Sequence, residues 1–188
     1  DDSLEDILDN NLVGLDNVCV IYDDFLKRDI FKDLEDYSYS HLYVVANLPY
    51  YITTPIVTGL VESGLDIEKI VVMIQKEVAD RYAAKVGTRE YSSITVFLDY
   101  YYDIKKEFLV SRNCFVPKPN VDSIIISLNR KKNLLPLNNS ELFFELVRDS
   151  FRFKRKNLRN NLKGYNLSKI EEVLNKYHFD LNVRAEQL

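Results

Sequence analysis

The stretch Leu42-Tyr43-Val44-Val45-Ala46-Asn47-Leu48-Pro49-Tyr50 decides how this chain is read. Its first five residues form an apolar run of strand length, rich in residues that suit a pleated, half-buried surface. Its last four end that run with an amide, a rigid turn and an aromatic ring. Pro49 locks its own φ and steers Leu48 away from the helical region. The side-chain oxygen of Asn47 and the carbonyl of Leu48 can then both accept hydrogen bonds from one exocyclic NH2. Tyr50 can stack on the ring that carries the amine. The competing reading of the same four residues is a strand-to-helix turn with no chemistry.

On either side, strand and helix patterns alternate. Ser3 to Leu12 reads as a short helix entered at an acidic cap, and Asn17 to Tyr22 as a buried strand ending at Asp23-Asp24. A helix from about Pro55 to Ser63 follows the Thr53-Thr54 cap, then a strand at Lys69 to Ile74 and a helix at Glu77 to Lys85. Ser93 to Tyr102 and Val121 to Asn129 have the β-rich, partly alternating pattern of two antiparallel edge strands, with Phe108 to Pro119 as a long connecting loop. This order predicts an α/β sheet with helices on its faces. In such sheets ligands sit at the carboxyl ends of strands, where Asp23, Asp24, Asn47 and Gln75 are expected.

The chain changes character near the polar junction Arg130-Lys131-Lys132-Asn133. Ser140 can cap a helix on which Phe143, Val147 and Phe151 recur at helical spacing, as do Leu158 and Leu162 further on. Arg148, Arg152, Arg155, Arg159 and Lys163 form a second stripe at steps of three or four. The expected organisation is an α/β domain over residues 1–130 and a small α-helical domain over 131–188.

With 188 residues and 46% hydrophobic content, the chain can fill one large domain with a small appendage. Cys19 and Cys114 are far apart in sequence, which suits a reduced intracellular protein better than a disulfide scaffold. With only His41 and His178 besides, no metal site is expected. No apolar run approaches bilayer length and no signal peptide opens the chain, so a cytoplasmic location is the default. The net charge of −4 argues at first against a polyanionic partner, but the charges are segregated. Residues 1–40 hold twelve acidic and three basic residues, whereas 151–163 hold six basic residues, Lys156 among them, and no acidic one. That is a basic patch on an acidic body. Its bland reading is a solvated helix face. The tyrosines at 100, 101 and 102 read as core and sheet surface.

Three further stretches follow the Asn-Leu-Pro-Tyr motif in order. They are Val72-Met73-Ile74-Gln75-Lys76-Glu77-Val78-Ala79-Asp80-Arg81, Phe115-Val116-Pro117-Lys118-Pro119-Asn120-Val121-Asp122-Ser123 and Arg184-Ala185-Glu186-Gln187-Leu188. Together the four motifs resemble the KsgA/RsmA-type small-subunit rRNA adenine dimethyltransferases over essentially the whole chain. Erm-type large-subunit rRNA methyltransferases usually read Asn-Ile-Pro-Tyr and lack the Gln-Lys-Glu-Val-Ala block, so Leu48 and Gln75 favour the small-subunit branch. A non-catalytic ribosome-assembly or RNA-binding factor of the same fold is the reading from another class.

The resemblance implies a Rossmann-like class I methyltransferase sheet, S-adenosyl-L-methionine as cofactor, and dimethylation of two adjacent adenines in the 3′-terminal hairpin of small-subunit rRNA. By resemblance Asn47, Leu48, Pro49 and Tyr50 orient the amine and Phe115 completes a stacking pair with Tyr50. Asp24, with Asn47, faces the cofactor. Arg148, Arg152, Arg155, Lys156, Arg159 and Lys163 would contact rRNA phosphates, with Lys118 extending the track and Lys76 and Arg81 as further candidates. The implied partners are small-subunit rRNA and the immature small ribosomal subunit, met by a monomer. One departure stands out. The family begins with a strand, a Gly-rich loop and a second strand ending in an acidic residue, whereas the five glycines here are isolated at 14, 59, 64, 87 and 164. Asp1-Asp2-Ser3-Leu4 resembles the residues just past that second strand. The resemblance thus implies that roughly the first quarter of the full-length enzyme is absent, and that this piece alone is inactive.

Overall fold

The computed structural model describes residues 4–188; the expected start of the first helix at Ser3, and the stretch Asp1 to Ser3, lie outside the described residues. Helices α1 (Glu5–Leu12) and α2 (Ile30–Leu34) precede β1 (Leu42–Asn47), α3 (Thr53–Glu62), β2 (Ile67–Gln75) and α4 (Lys76–Tyr82). After these come α5 (Ser93–Tyr101), β3 (Tyr102–Val110) and β4 (Ser123–Arg130). The sheet runs β1-β2-β4-β3. β1 and β2 are parallel across the α3 crossover, and β4 is antiparallel to both its neighbours.

One face of this sheet makes the core. Ile70, Val72 and Ile74 of β2 and Ile126 and Leu128 of β4 are fully buried against Val57 and Leu60 of α3, Ala79 and Tyr82 of α4 and Leu98 of α5. Each such aliphatic side chain stabilises the fold by about 1.5–3 kcal/mol relative to an exposed one, so this face dominates the energetics. The other face is open at β1. Leu42, Val44 and Ala46 turn inward, while Val45 is 80% exposed and Tyr43 56% exposed on a strand whose sole sheet neighbour among the described residues is β2.

Two expectations about strands are corrected. Residues 93–101 form α5, not an edge strand. The same letters carry a second period: Ile94, Phe97, Leu98 and Tyr101 fall on one helical face, and Thr95 is buried beside Leu98. The helix start is fixed by Thr95, whose hydroxyl accepts from the Ser92 N–H at 3.1 Å and donates to the Arg81 carbonyl at 2.7 Å. With that cap in place the helical period wins and the β-branched residues pack sideways. β3 begins only at Tyr102, the last residue of that expected strand, and extends to Val110 into what reads as a loop.

The expected strand at Asn17 to Tyr22 does not form, and Val18, Ile21 and Tyr22 are exposed. A strand needs a ladder partner, and among the described residues none of the four strands pairs with it. Two caps also shift: Thr53 is the first residue of α3, its hydroxyl donating to the Pro49 carbonyl at 3.1 Å, and Asn139 rather than Ser140 caps α6 (Ser140–Ser150), accepting from Leu142 N–H at 2.9 Å.

The basic residues do not share one helix. α6 ends at Ser150, the chain turns through 151–157, and α7 (Leu158–Asn161) starts afresh before α8 (Leu167–Lys176). Asn161 holds the turn, its amide donating to the Ser150 carbonyl at 2.6 Å and accepting from Phe153 N–H at 3.3 Å. A second apolar cluster of Leu158, Leu162, Leu181 and Ala185 lies beneath α7 and α8. Phe144 docks α6 onto α5, its ring 5.1 Å from Phe97 and 5.6 Å from Tyr100.

Candidate active site

Asn47 is the last residue of β1, in register with Met73, and its side chain is exposed. Among the described residues its amide makes no hydrogen bond, so both the oxygen and the nitrogen are available to a ligand. Leu48 is tucked into the core, which pins the backbone just beyond the strand. Pro49 (φ −59°, ψ 135°) turns the chain, and its carbonyl accepts from the Ile52 N–H at 3.2 Å and from the Thr53 hydroxyl. The turn is therefore held from both sides while Asn47 faces outward.

Tyr50 is half-buried and its hydroxyl meets Ser123 Oγ at 2.7 Å. Ser123 is fully buried at the start of β4, paired with Gln75 at the end of β2 and Val110 at the end of β3. Phe115, also half-buried, follows a 3-10 turn at Arg112–Cys114 in the segment joining β3 to β4. That segment is cinched by Arg112, whose backbone N–H donates to Asp122 Oδ1 at 2.9 Å and whose guanidinium donates to the Asn120 carbonyl at 3.0 Å. Asn47, Gln75, Tyr50, Ser123 and Phe115 thus gather at one end of the sheet, with Lys118 exposed on the same segment.

Asp23 and Asp24 stand apart from that arrangement, since no strand carries them. Asp24 is exposed and caps a 3-10 turn at Phe25–Lys27, accepting from Leu26 N–H at 3.1 Å, with Lys27 3.4 Å away. The turn packs beside α3 in a cleft lined by Phe25, Ile30, Pro55 and Ile56. Asp23 is held below the usual carboxylate range by the Asp24 N–H and by Arg28.

Next to the site, Asp80 of α4 accepts from Lys76 at 2.8 Å and Lys106 of β3 at 2.6 Å. Lys106 and then Lys76 hold its carboxyl below its ordinary value. A depressed carboxylate adds stability that is complete above its unfolded pKa of about 3.9 and is lost as pH falls through the lower folded value. Urea midpoints should therefore drop below about pH 4 with a steeper acid limb in the parent than in Asp80→Asn; identical limbs would show the bridge to be energetically idle.

The basic residues lie elsewhere. Arg148 is on α6 beside Glu62, and Arg152, Arg155 and Lys156 are exposed on the 151–157 turn, where Lys156 sits 4.6 Å from the Phe153 ring centroid. Lys163 is exposed after α7. The absence of acids between 151 and 163 does not leave every cation unpaired: Arg159 meets Glu171 of α8 at 3.0 Å. Ser123 and Asp122, which anchor the site, carry no signal of that role in the sequence beyond their place in the Phe115 to Ser123 stretch, and Arg112, which lies outside it, carries none. Among the described residues no cluster of His, Cys, Asp and Glu could hold a metal ion, and no helix is long and apolar enough to cross a membrane.

The family model described as ribosomal RNA adenine dimethylase matches residues 1–188. A Bacillus licheniformis protein named ribosomal RNA small subunit methyltransferase A is 43% identical over 197 aligned residues, covering 100% of this chain and 68% of the relative. A Streptococcus pneumoniae protein of the same name is 44% identical over 179 residues, covering 94% of this chain and 61% of the relative. The chain therefore spans about two thirds of the length of these relatives. Among solved structures, a dimethyladenosine transferase from Plasmodium falciparum superposes with a TM-score of 0.79 at 24% identity, covering all of this chain and 74% of the other. The 23S rRNA methyltransferase ErmE superposes at 0.70 with 26% identity, covering 100% and 75%.

Proposed function

The chain belongs to the ribosomal RNA adenine dimethylase family, and from that membership we propose that it forms the acceptor-base half of an enzyme that dimethylates two adjacent adenines in the 3′-terminal hairpin of small-subunit rRNA. The observation that carries the reading is the exposed Asn47 amide, unpartnered among the described residues, at the carboxyl end of β1 and beside the anchored ring of Tyr50.

An adenine amine is a weak nucleophile because its lone pair is delocalised into the ring. Asn47 Oδ1 and the Leu48 carbonyl would accept its two N–H bonds and pull the nitrogen toward a pyramidal geometry, withdrawing the lone pair from conjugation and aiming it at the methyl donor. This is positioning, with electrostatic stabilisation of the positive charge that develops on nitrogen. The N–C bond would form as a bound donor's S–C bond broke, and the displaced proton would leave to solvent, so no strong base is needed. Extracting the base costs a few kcal/mol, and stacking on Tyr50 and Phe115 returns about 1–3 kcal/mol per base.

S-adenosyl-L-methionine, when bound, supplies an electrophilic methyl group. Asp24, an exposed carboxylate, would accept from its adenine amine, and the exposed Asn47 would face its methyl group. Isolated glycines leave this chain without a loop to cradle the methionyl part. We accordingly assign that task to sequence outside these 188 residues. Residues 1–130 are then the remainder of the methyltransferase domain and 131–188 an RNA-binding unit. The enzyme would act as a monomer in the cytoplasm on the immature small subunit.

Arg148, Arg152, Arg155, Lys156 and Lys163, with Lys118 nearer the site, would meet phosphates, and Arg159 would do so only by giving up Glu171. In a full-length protein containing this chain, replacing Arg152, Arg155 and Lys156 with Gln should weaken RNA binding and lower the log–log salt slope by about 0.7–0.9 for each phosphate no longer neutralised. A slope equal to the parent's would identify a merely solvated face.

The likeness to ErmE gives large-subunit rRNA as the second reading, although the relatives above 40% identity bear small-subunit names. Incubating the full-length protein with methyl-labelled donor and rRNA from each subunit decides between them. Label confined to the 3′ end of small-subunit rRNA is expected. Label in large-subunit rRNA would overturn the proposal.

A further inference from the structure

We infer that the dipeptide Asp122-Ser123 is the positioning element for the base-stacking rings, Ser123 holding Tyr50 and Asp122 holding the segment that presents Phe115. The inference rests on the reading of Tyr50 and Phe115 as a clamp and says what sets its geometry.

Ser123 is the best-fixed point at this end of the sheet. Its backbone lies between two ladders, opposite Gln75 on one side and Val110 on the other, and its side chain is fully buried. A buried hydroxyl requires a partner, and the partner is the Tyr50 hydroxyl at 2.7 Å. Tyr50 is the first residue of a short 3-10 turn. The bond ties the far end of the ring axis to the sheet.

One residue earlier, Asp122 performs the corresponding task for the second ring. Its Oδ1 accepts from the Arg112 N–H at 2.9 Å, and its carbonyl accepts from the Lys76 N–H at 3.0 Å. Arg112 in turn closes the segment on Asn120 and receives the Phe115 N–H on its carbonyl at 3.4 Å. Both rings are therefore indexed to adjacent residues at the start of β4. A base entering between pre-placed rings avoids the entropy of ordering them.

The test uses a full-length protein containing this chain, its small-subunit rRNA substrate and single-turnover methylation at saturating RNA and donor. Ser123→Ala and Tyr50→Phe should each slow methyl transfer about tenfold, the size expected for ordering one or two side chains. The double variant should be no slower than either single one, because both remove the same bond. RNA affinity should stay near the parent's, Tyr50→Phe should lower the thermal midpoint by a few degrees because it leaves the buried Ser123 hydroxyl unpaired, and Ser123→Thr, which keeps a hydroxyl, should recover most of the rate. Asp122→Ala should slow transfer independently of the first pair. Parent-like rates in Ser123→Ala and Tyr50→Phe, or strictly additive losses, overturn the inference while a dead Tyr50→Ala leaves the clamp intact. A fully active Tyr50→Ala overturns the clamp and the inference together.

Discussion

Replacing Asn47 with Ala in a full-length protein containing this chain is expected to lower the methylation rate by about 10²–10³, the usual effect of removing one preorganised group that meets developing charge. Overall RNA affinity should scarcely change, because most of it comes from phosphates met elsewhere. The two effects separate because the Asn47 acceptor matters most as the amine nitrogen becomes positive, so its loss is felt in the transition state and little in the ground state. Folding should survive, since Asn47 is exposed and its side chain bonds to nothing among the described residues. Single-turnover methylation and a binding titration on one RNA measure both quantities. An unchanged rate would remove Asn47 from the mechanism and leave the turn as mere structure.

A second large effect is expected in stability. Phe144 is 7% exposed, and besides Phe97 and Tyr100 it meets Tyr101 at 5.8 Å and Phe143 at 5.1 Å. Phe144→Ala should cost about 3–5 kcal/mol, the transfer term of the ring plus the cavity it leaves. That is a large share of the roughly 5–15 kcal/mol typical of a domain, and it falls on the packing that holds α6 to α5. Leu142→Ala, on the exposed side of α6, should stay within about 0.5 kcal/mol. Urea unfolding of the three proteins gives the comparison. A Phe144→Ala loss under about 1 kcal/mol would show that the aromatic cluster does not dock the helix.

The parts of this fold that could be read in the sequence are those where one period dominates. Leu42 to Ala46 and Lys69 to Ile74 are apolar and β-branched at strand length, and both are strands, each ending one residue later, at Asn47 and Gln75. Residues 93–101 carry two periods at once, and the Ser92–Thr95 cap that selects the helix is a short signal easily lost in a β-rich stretch. The apolar segment 17–22 shows the opposite failure: its composition suits a strand, but pairing is a tertiary property and no neighbour takes it up. The stripe from Arg148 to Lys163 runs at helical spacing through a break at 151–157, because spacing registers neither a turn held by Asn161 nor a cation paired with Glu171.

The site divides in the same way. Asn47, Tyr50 and Phe115 are visible because amides and aromatic rings are distinctive letters, and the sheet brings them to one end. Ser123 and Asp122 are common residues whose importance comes from proximity in space, 73 residues separating Ser123 from the ring it holds. Asp24 follows an apolar run that suits a strand and instead caps a turn. Its proposed place at the cofactor rests on family likeness and on an exposed carboxylate, not on the strand-end rule.

Presentation of an exocyclic adenine amine by the Asn47–Leu48 turn is tested most directly by mass spectrometry of nucleosides from small-subunit rRNA treated with full-length protein and isotopically labelled methyl donor. The expected product is N6,N6-dimethyladenosine at two adjacent positions near the 3′ end. Label on a ring nitrogen, a base carbon or a ribose oxygen would contradict that role for the turn.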